Sequence, residues 1–138
     1  MVDDDDEDIY LTRRAFLNHR SDLIFNSVHS GAEMFDYLSR CGKSDNDDEH
    51  FLPTVILMDI NMPRENGYAV LRQLRASEFA YLPVSILSTS SAIHDINKSY
   101  QCGASTYICK SVSKQGMQDV AKQFCNYWLE FAKLPEAA

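Results

Sequence analysis

The sequence predicts an α/β protein in which helices cover both faces of a doubly wound parallel sheet. Helical and extended patterns alternate along the 138 residues, as expected when strands are joined by crossover helices. The run at residues 54–58 is apolar and partly β-branched, which is typical of a strand buried on both faces. It ends in Asp59, and polar side chains follow other predicted strands at the edge where open α/β sheets gather functional groups. We expect one domain over residues 1–138.

The composition describes a soluble globular domain with a core of its own. Hydrophobic residues make up 45% of the chain and charged residues 24%. The net charge of −7 argues against nucleic acid or an anionic membrane surface as the main partner. The four cysteines are widely spaced without a CxxC pair, which favours reduced thiols in a cytoplasm. We expect no secretory signal and no membrane span.

The front of the chain is an acidic run from Asp3 to Asp8 that leads into a helical pattern. Acids at the start of a helix suit the positive end of its dipole, so we expect a loop followed by a helix N-terminus. The apolar positions near helical spacing are Ile9, Leu11, Ala15 and Phe16. Only Met1 and Val2 precede the acids, too few for a full strand. The first strand is therefore either a stub or begins upstream of this sequence.

The other elements follow from periodicity and from capping residues. Strands are predicted at residues 23–28, 54–58, 84–87 and 106–109, and helices at residues 9–17, 31–41, 68–74, 93–102 and 113–133. Ser30 is the expected N-cap of the second helix, with Glu33 at the capping-box position, and Gly103 suits the C′ position of the fourth. A polar loop is expected at residues 43–50 and a turn at residues 64–67. The second helix should bury Met34, Phe35, Tyr37 and Leu38, and the last helix carries the stripe Met117, Val120, Phe124, Trp128 and Phe131.

The ends of the predicted strands carry chemically related side chains: Asp3-Asp4, Asp59, Ser88 and Lys110. Three carboxylates brought together repel one another unless a cation lies among them. Mg²⁺ suits such a site because it prefers hard oxygen ligands and often shares them with a phosphate. An aspartate that attacks phosphorus needs charge neutralisation, which a metal ion, a lysine and a hydroxyl can supply. The pattern predicts Asp59 as the chemical centre.

Four segments resemble the receiver domain of two-component response regulators, the family of the chemotaxis regulators. They are Val2-Asp3-Asp4, Leu57 to Pro63 with Gly67, Pro83 to Ser88, and Gly103 to Lys110. The resemblance spans nearly the whole chain, and its opening and its Lys110-Ser111 ending are similar to stand-alone receivers that partner phytochrome-type histidine kinases. It implies a flavodoxin-like five-stranded sheet of order 2-1-3-4-5. It also implies a cytoplasmic bacterial signalling protein.

The resemblance implies how the phosphoryl group is handled. Asp59 would accept it from a kinase histidine, and Lys110 would pair first with Asp59 and then with the phosphoryl oxygens. Ser88 would be the switch hydroxyl, and Tyr107 the coupled aromatic that changes rotamer as the loop after Ser88 moves. Ser111 departs from the family, which usually has proline at that position.

The resemblance also implies the metal ligands. Asp4 and Asp59 would bind Mg²⁺ through their carboxylates, and Asn61 through its backbone carbonyl. Asp3 would hold a metal-bound water.

Rival functions remain open at this point. Within the fold, the chain could be a phosphorelay shuttle that passes its phosphate to a histidine phosphotransfer protein, or an interaction module that is inactive in phosphotransfer. A Mg²⁺-dependent phosphohydrolase is disfavoured, because Asn61 stands where such enzymes need an acid to protonate the leaving group. We expect a phosphoacceptor that is not an enzyme, with at most weak self-dephosphorylation.

The partners expected are a sensor histidine kinase and a downstream protein target. The last helix is rich in aromatics, and Phe124 is expected in the core. Tyr127, Trp128 and Phe131 could instead form a partner or homodimer surface. For Trp128 and Phe131 the core and interface interpretations are equally balanced.

Overall fold

The computed structural model describes residues 1–41 and 51–136. Its helices are α1 (Asp6–His19), α2 (Gly31–Arg40), α3 (Gly67–Arg75), α4 (Ile93–Gln101) and α5 (Lys114–Cys125), and α5 continues into a π-helical turn at Asn126–Phe131. Its strands are β1 (Ile56–Met58), β2 (Asn61–Met62), β3 (Glu65–Asn66), β4 (Val84–Ser88) and β5 (Thr106–Cys109). The polar loop predicted at residues 43–50 lies outside the described residues. None of the helices in the described part of the chain has the length and apolar character needed to span a membrane.

A parallel sheet in the predicted order forms the centre of the fold. β1, β4 and β5 are neighbours, and beyond β1 the sheet continues as single-residue bridges from Met58 to Val2 and from Val2 to Val28. The N–H of Val2 donates to Leu57 O at 2.8 Å, and the N–H of Val28 donates to Met1 O at 2.9 Å. In this structure the first strand is a stub at Val2, between Val28 and β1, which is the position that the order 2-1-3-4-5 assigns to it.

The strand predicted at residues 23–28 is wrong over most of its length. Only Val28 pairs with the sheet, and Ile24 is 65% exposed. A parallel strand needs a neighbour of similar length to satisfy its backbone groups, and the neighbouring stub offers little beyond Val2.

Helices cover both faces of the sheet because successive strand side chains point in opposite directions. Met58 and Ile86 pack on the face covered by α2 and α3, whereas Leu57 and Leu87 pack on the face covered by α1 and α5. The helical members of the first cluster are Met34, Leu38, Val70, Leu71 and Leu74. Those of the second are Ala15, Phe16, Met117, Ala121, Phe124 and Cys125. The functional groups lie between these two layers, at the edge of the sheet where the strands have their carboxyl ends.

The packing corrects one predicted apolar position, Leu11, and decides between core and surface for Trp128 and Phe131. Leu11 is 48% exposed, and Thr12 takes the buried position on α1. At the chain's last turn, Trp128 is buried beside Phe124, whereas Phe131 is 79% exposed. The π-helical turn explains this split, since its wider winding rotates Phe131 off the stripe that an α-helix would have continued.

Candidate functional site

Asp59 lies at the carboxyl end of β1. Its N–H donates to Val2 O at 3.0 Å, which extends the sheet pairing by one residue. Its Oδ1 accepts the N–H of Asn61 at 3.0 Å, so the following loop orients the carboxylate. The residue is 7% exposed, and its Oδ2 lies 3.4 Å from the Nζ atom of Lys110. The carboxylate predicted as the chemical centre is buried, oriented and next to a cation.

Lys110 reaches the site from the end of β5, where its N–H donates to Ser88 O at 2.7 Å. Its Nζ atom lies 3.2 Å from Oδ2 of Asp3, a fully buried carboxylate. Burial raises the pKa of Asp3, and the hydrogen bond from the Asp5 N–H and the charge of Lys110 offset this only in part. Burial acts to lower the pKa of Lys110, but the charges of Asp59 and Asp3 outweigh it and raise that pKa. The ammonium is therefore firmly protonated inside the site.

Asp8 is a third carboxylate in the site, and the sequence analysis did not single it out. Its Oδ2 lies 3.0 Å from Nζ of Lys110. Asp5 caps α1 by accepting the N–H groups of Glu7 and Asp8 at 2.9 and 3.3 Å, which places Asp8 in the first turn of the helix. The acidic run was the only sequence signal that could have pointed to Asp8. The favourable position of acids at a helix N-terminus already explained that run.

Asp4 is exposed and lines an open acidic pocket of about 500 Å³ together with Asp59, Asn61 and Lys110. The carboxylates whose oxygens lie within 4.8 Å of one another are those of Asp3, Asp8 and Asp59. Direct binding of a metal by Asp4 stays a prediction, as does the water-mediated role of Asp3.

Ser88 ends β4 and is fully buried. Its Oγ accepts a hydrogen bond from Nδ2 of Asn61 at 3.1 Å and another from the N–H of Ser90 at 3.2 Å. The predicted switch hydroxyl thus joins the loop after Asp59 to the loop after β4. The backbone position of Asn61 is set by the short antiparallel pair β2–β3, which the sequence analysis described only as a turn.

Tyr107 is tied to the loop that follows Ser88. Its hydroxyl donates to Ser90 O at 2.7 Å, and its ring packs half-buried against the core. The Ser90 hydroxyl donates to Asp95 at 2.6 Å, and the Tyr68 hydroxyl donates to the same carboxylate at 2.9 Å. These two hydrogen bonds lower the pKa of Asp95. The loop is therefore held directly by Tyr107 on β5 and Asp95 on α4, and Tyr68 on α3 holds Asp95 in turn.

The arrangement suits nucleophilic attack by a carboxylate on an electrophile that carries negative charge. Asp3, Asp8 and Asp59 bring three negative charges to one positive charge on Lys110. This excess, presented by hard oxygen donors, fits a divalent cation such as Mg²⁺. The buried ammonium is placed to neutralise charge on an incoming group.

The family model of the response regulator receiver domain matches residues 1–122. The chain belongs to this family. The expected order of a receiver sheet, its helices on both faces and the gathering of Asp59, Ser88 and Lys110 at one edge all accord with that membership.

Similar proteins extend the match over the full length of the receiver. The phosphorylated cyanobacterial phytochrome response regulator RcpA has 30% sequence identity and a TM-score of 0.82, covering 98% of this chain and 95% of that one. Response regulator RPA3017, in red light signalling of R. palustris, has 27% identity and a TM-score of 0.87, covering 98% and 96%. Response regulator Rcp1 of Synechocystis sp. is 25% identical, covering 99% of this chain and 92% of that protein. A Mn²⁺-bound form of Rcp1 has a TM-score of 0.75 with 25% identity, covering 98% of this chain and 96% of that one. The predicted likeness to phytochrome-associated receivers is confirmed.

Proposed function

We propose that this receiver accepts a phosphoryl group from a sensor histidine kinase on Asp59, in a Mg²⁺-dependent reaction, and signals through a change of its surface. The observation that carries the proposal is the Asp59 carboxylate itself. It is buried at the end of β1, with the Lys110 ammonium 3.4 Å away and Asp3 beside it. A buried carboxylate with an adjacent cation at a pocket is built to react with an anionic group.

The chemistry transfers one phosphoryl group. An Asp59 carboxylate oxygen forms a bond to phosphorus as the bond from phosphorus to the kinase histidine nitrogen breaks, and the imidazole leaves with its electron pair. The Asn61 N–H keeps Oδ1 engaged, which leaves Oδ2 toward Lys110 and the pocket. Lys110 then neutralises charge on the phosphoryl oxygens.

The residues that would hold Mg²⁺ are Asp4 and Asp59 through their carboxylates and Asn61 through its backbone carbonyl, all of which line one pocket, with Asp3 holding a metal-bound water. When bound, the ion supplies charge neutralisation at the phosphoryl oxygens. The close grouping of the Asp3, Asp8 and Asp59 carboxylates supports a divalent cation at this site. The Mn²⁺-bound form of Rcp1 is a precedent in a similar protein.

The surface change would begin at Ser88. Its hydroxyl now accepts hydrogen bonds from Asn61 and Ser90, and turning it toward a phosphoryl group on Asp59 breaks both. The loop carrying Ser90 would then move, and Tyr107 with it, since its hydroxyl is bonded to Ser90 O. The negative charge added at Asp59 would thereby change the surface formed by the loop after Ser88.

The partners belong to the proposal as well. They are a sensor histidine kinase and a downstream protein target or phosphotransfer protein. A phytochrome-type kinase is the first candidate, because the similar proteins include a phytochrome response regulator. The exposed side chains of Tyr127 and Phe131 support a homodimer contact at the last helix. The described cysteines form no disulfide with one another, which suits a cytoplasm. We propose that the chain is a single receiver domain and a phosphoacceptor rather than an enzyme.

The first test is intact mass after incubation with acetyl phosphate and Mg²⁺. We expect the wild-type protein to gain the mass of one phosphoryl group, and to lose that gain in EDTA or when Asp59→Asn is introduced. Asp36→Asn, an exposed aspartate on α2, is the matched control and should be phosphorylated normally. A beryllofluoride titration run in parallel detects a competent site even if the phosphoryl group turns over quickly. A folded wild-type protein that neither gains the mass nor binds beryllofluoride would refute phosphotransfer and favour an interaction module.

A further inference from the structure

The ammonium of Lys110 is shared unequally among three carboxylates. Its Nζ atom lies 3.0 Å from Asp8, 3.2 Å from Asp3 and 3.4 Å from Asp59. The shortest contact is thus to the residue outside the predicted site, and the longest is to the phosphoacceptor. The Lys110 side chain is 9% exposed, so the ammonium has little water to compensate for a lost partner.

Asp8 is held on a rigid element rather than on a loop. It lies in the first turn of α1, whose N-cap Asp5 accepts the N–H groups of Glu7 and Asp8. The N–H of Asp5 in turn donates to Oδ1 of Asp3 at 3.0 Å. The position of Asp8 relative to Lys110 is therefore set by a capped helix that is anchored to the buried carboxylate of the site.

The surroundings of Asp8 differ from those of the other two carboxylates. Its side chain is 40% exposed, against 0% for Asp3 and 9% for Asp59. Water can therefore solvate Asp8 if the ammonium leaves it, whereas Asp3 has no such substitute. Among the three contacts, that to Asp8 is the one that Lys110 can exchange at the lowest cost.

We propose that Asp8 is a positioning residue that holds the Lys110 ammonium toward α1 in the resting state and so limits how far it engages Asp59 and an incoming phosphoryl group. This inference rests on the proposed phosphoacceptor function. Phosphorylation adds negative charge at Asp59, which draws the ammonium across the site and releases Asp8 to solvent. Asp8 thereby competes with the phosphoryl group for the Lys110 ammonium.

The test compares Asp8→Asn with Glu7→Gln in the full chain. Glu7 is exposed on the same helical turn, so its replacement removes the same formal charge from the same helix end without touching Lys110. The rate of phosphorylation by acetyl phosphate is followed by intact mass over a range of Mg²⁺ concentrations. This separates the maximal rate from the Mg²⁺ concentration that gives half of it, and thermal melts confirm that each variant is folded.

We expect the maximal rate of Asp8→Asn to rise by about threefold to tenfold at saturating Mg²⁺, because the freed ammonium moves toward Asp59. Asp8→Glu should restore the wild-type rate, and Glu7→Gln should leave it unchanged. In ¹⁵N-lysine spectra without phosphoryl donor, the Lys110 Nζ signal should shift in Asp8→Asn and stay in place in Glu7→Gln. A maximal rate of Asp8→Asn that equals or falls below that of Glu7→Gln would overturn the inference while leaving the phosphoacceptor function intact. A wild-type protein that takes no phosphoryl group would remove both.

Discussion

Gly67 begins α3 at a point where the backbone of the loop after Asp59 passes very close. A Cβ atom at this position would lie 2.6 Å from the Cα atom of Ile60 and 3.0 Å from Asp59 O. Both neighbours are backbone, which cannot turn aside as the end of a flexible side chain can. The residue is needed for its lack of a side chain, and the loop that orients the Asp59 carboxylate depends on it.

We expect Gly67→Ala to lower the free energy of unfolding by about 1–3 kcal/mol, the usual cost of overpacking, despite the better helix propensity of alanine. Gln73→Ala on the exposed face of α3 is the control and should change it by less than about 0.5 kcal/mol. Urea unfolding measures both. An unchanged stability for Gly67→Ala would mean that the loop moves aside more easily than its backbone contacts suggest.

At the scale of elements, His29 connects the starts of α1 and α2. Its Nε2 atom lies 2.6 Å from Oδ1 of Asp6, and its N–H donates to Oε2 of Glu33 at 2.6 Å. Ser30 caps α2 as predicted by accepting the N–H of Glu33 at 3.1 Å. The carboxylate of Glu33 returns one residue earlier than a capping box requires, because His29 presents both its backbone and its ring to it. Two helix starts are thus joined through one imidazole.

The pKa of His29 is raised above 6.5, first by its hydrogen bond to Asp6 and further by the charges of Asp6 and Glu33. A base whose pKa is raised in the folded state contributes stability that is complete below its unfolded pKa and lost as pH rises through the folded value. We therefore expect the stability advantage of wild type over His29→Gln to be largest below about pH 6.5 and to shrink above it. Denaturant titrations across this range test it, and Asp6→Asn should abolish most of the pH dependence. A constant difference between wild type and His29→Gln would contradict it.

At the scale of the whole molecule, the acidic site draws together parts of the chain that are distant in sequence. Asp3 and Asp8 come from the front segment and α1, Asp59 from the end of β1, and Lys110 from the end of β5. Three carboxylates against one ammonium leave an excess of negative charge at the edge of the sheet. A cation bound there would tie these segments together and stabilise the folded chain as a whole.

We expect Mg²⁺ at about 100 times its dissociation constant to raise the free energy of unfolding by about 2.7 kcal/mol, since it binds only the folded site. Asp59→Asn should lose most of this increment, whereas Asp36→Asn on α2 should keep it. Thermal or urea unfolding with Mg²⁺ and with EDTA measures the difference. Equal increments in wild type and Asp59→Asn would show that Mg²⁺ acts elsewhere on this acidic chain.

Much of the fold and the centre of the site could be predicted because the signals are local. A buried parallel strand is recognised from its own residues, as at 84–88, and its carboxyl end must face the functional edge, which located Asp59, Ser88 and Lys110. Gly103 was predicted at a helix end and has a φ of 108°, a conformation that glycine adopts without strain. Capping and turn chemistry depend on neighbours along the chain, so the sequence contains them.

What the sequence by itself determined is the alternation of elements, the strand ends and their chemistry. Only the tertiary structure decided that Asp8 stands beside Lys110, because this depends on how α1 is rotated against the sheet. The same rotation leaves Leu11 exposed. The π-helical winding of Asn126–Phe131 buries Trp128 and exposes Phe131. The strand predicted at residues 23–28 is reduced to Val28, because its neighbour in the sheet is the single residue Val2. These outcomes are set by contacts between residues far apart in the chain, and periodicity within one segment carries no information about them.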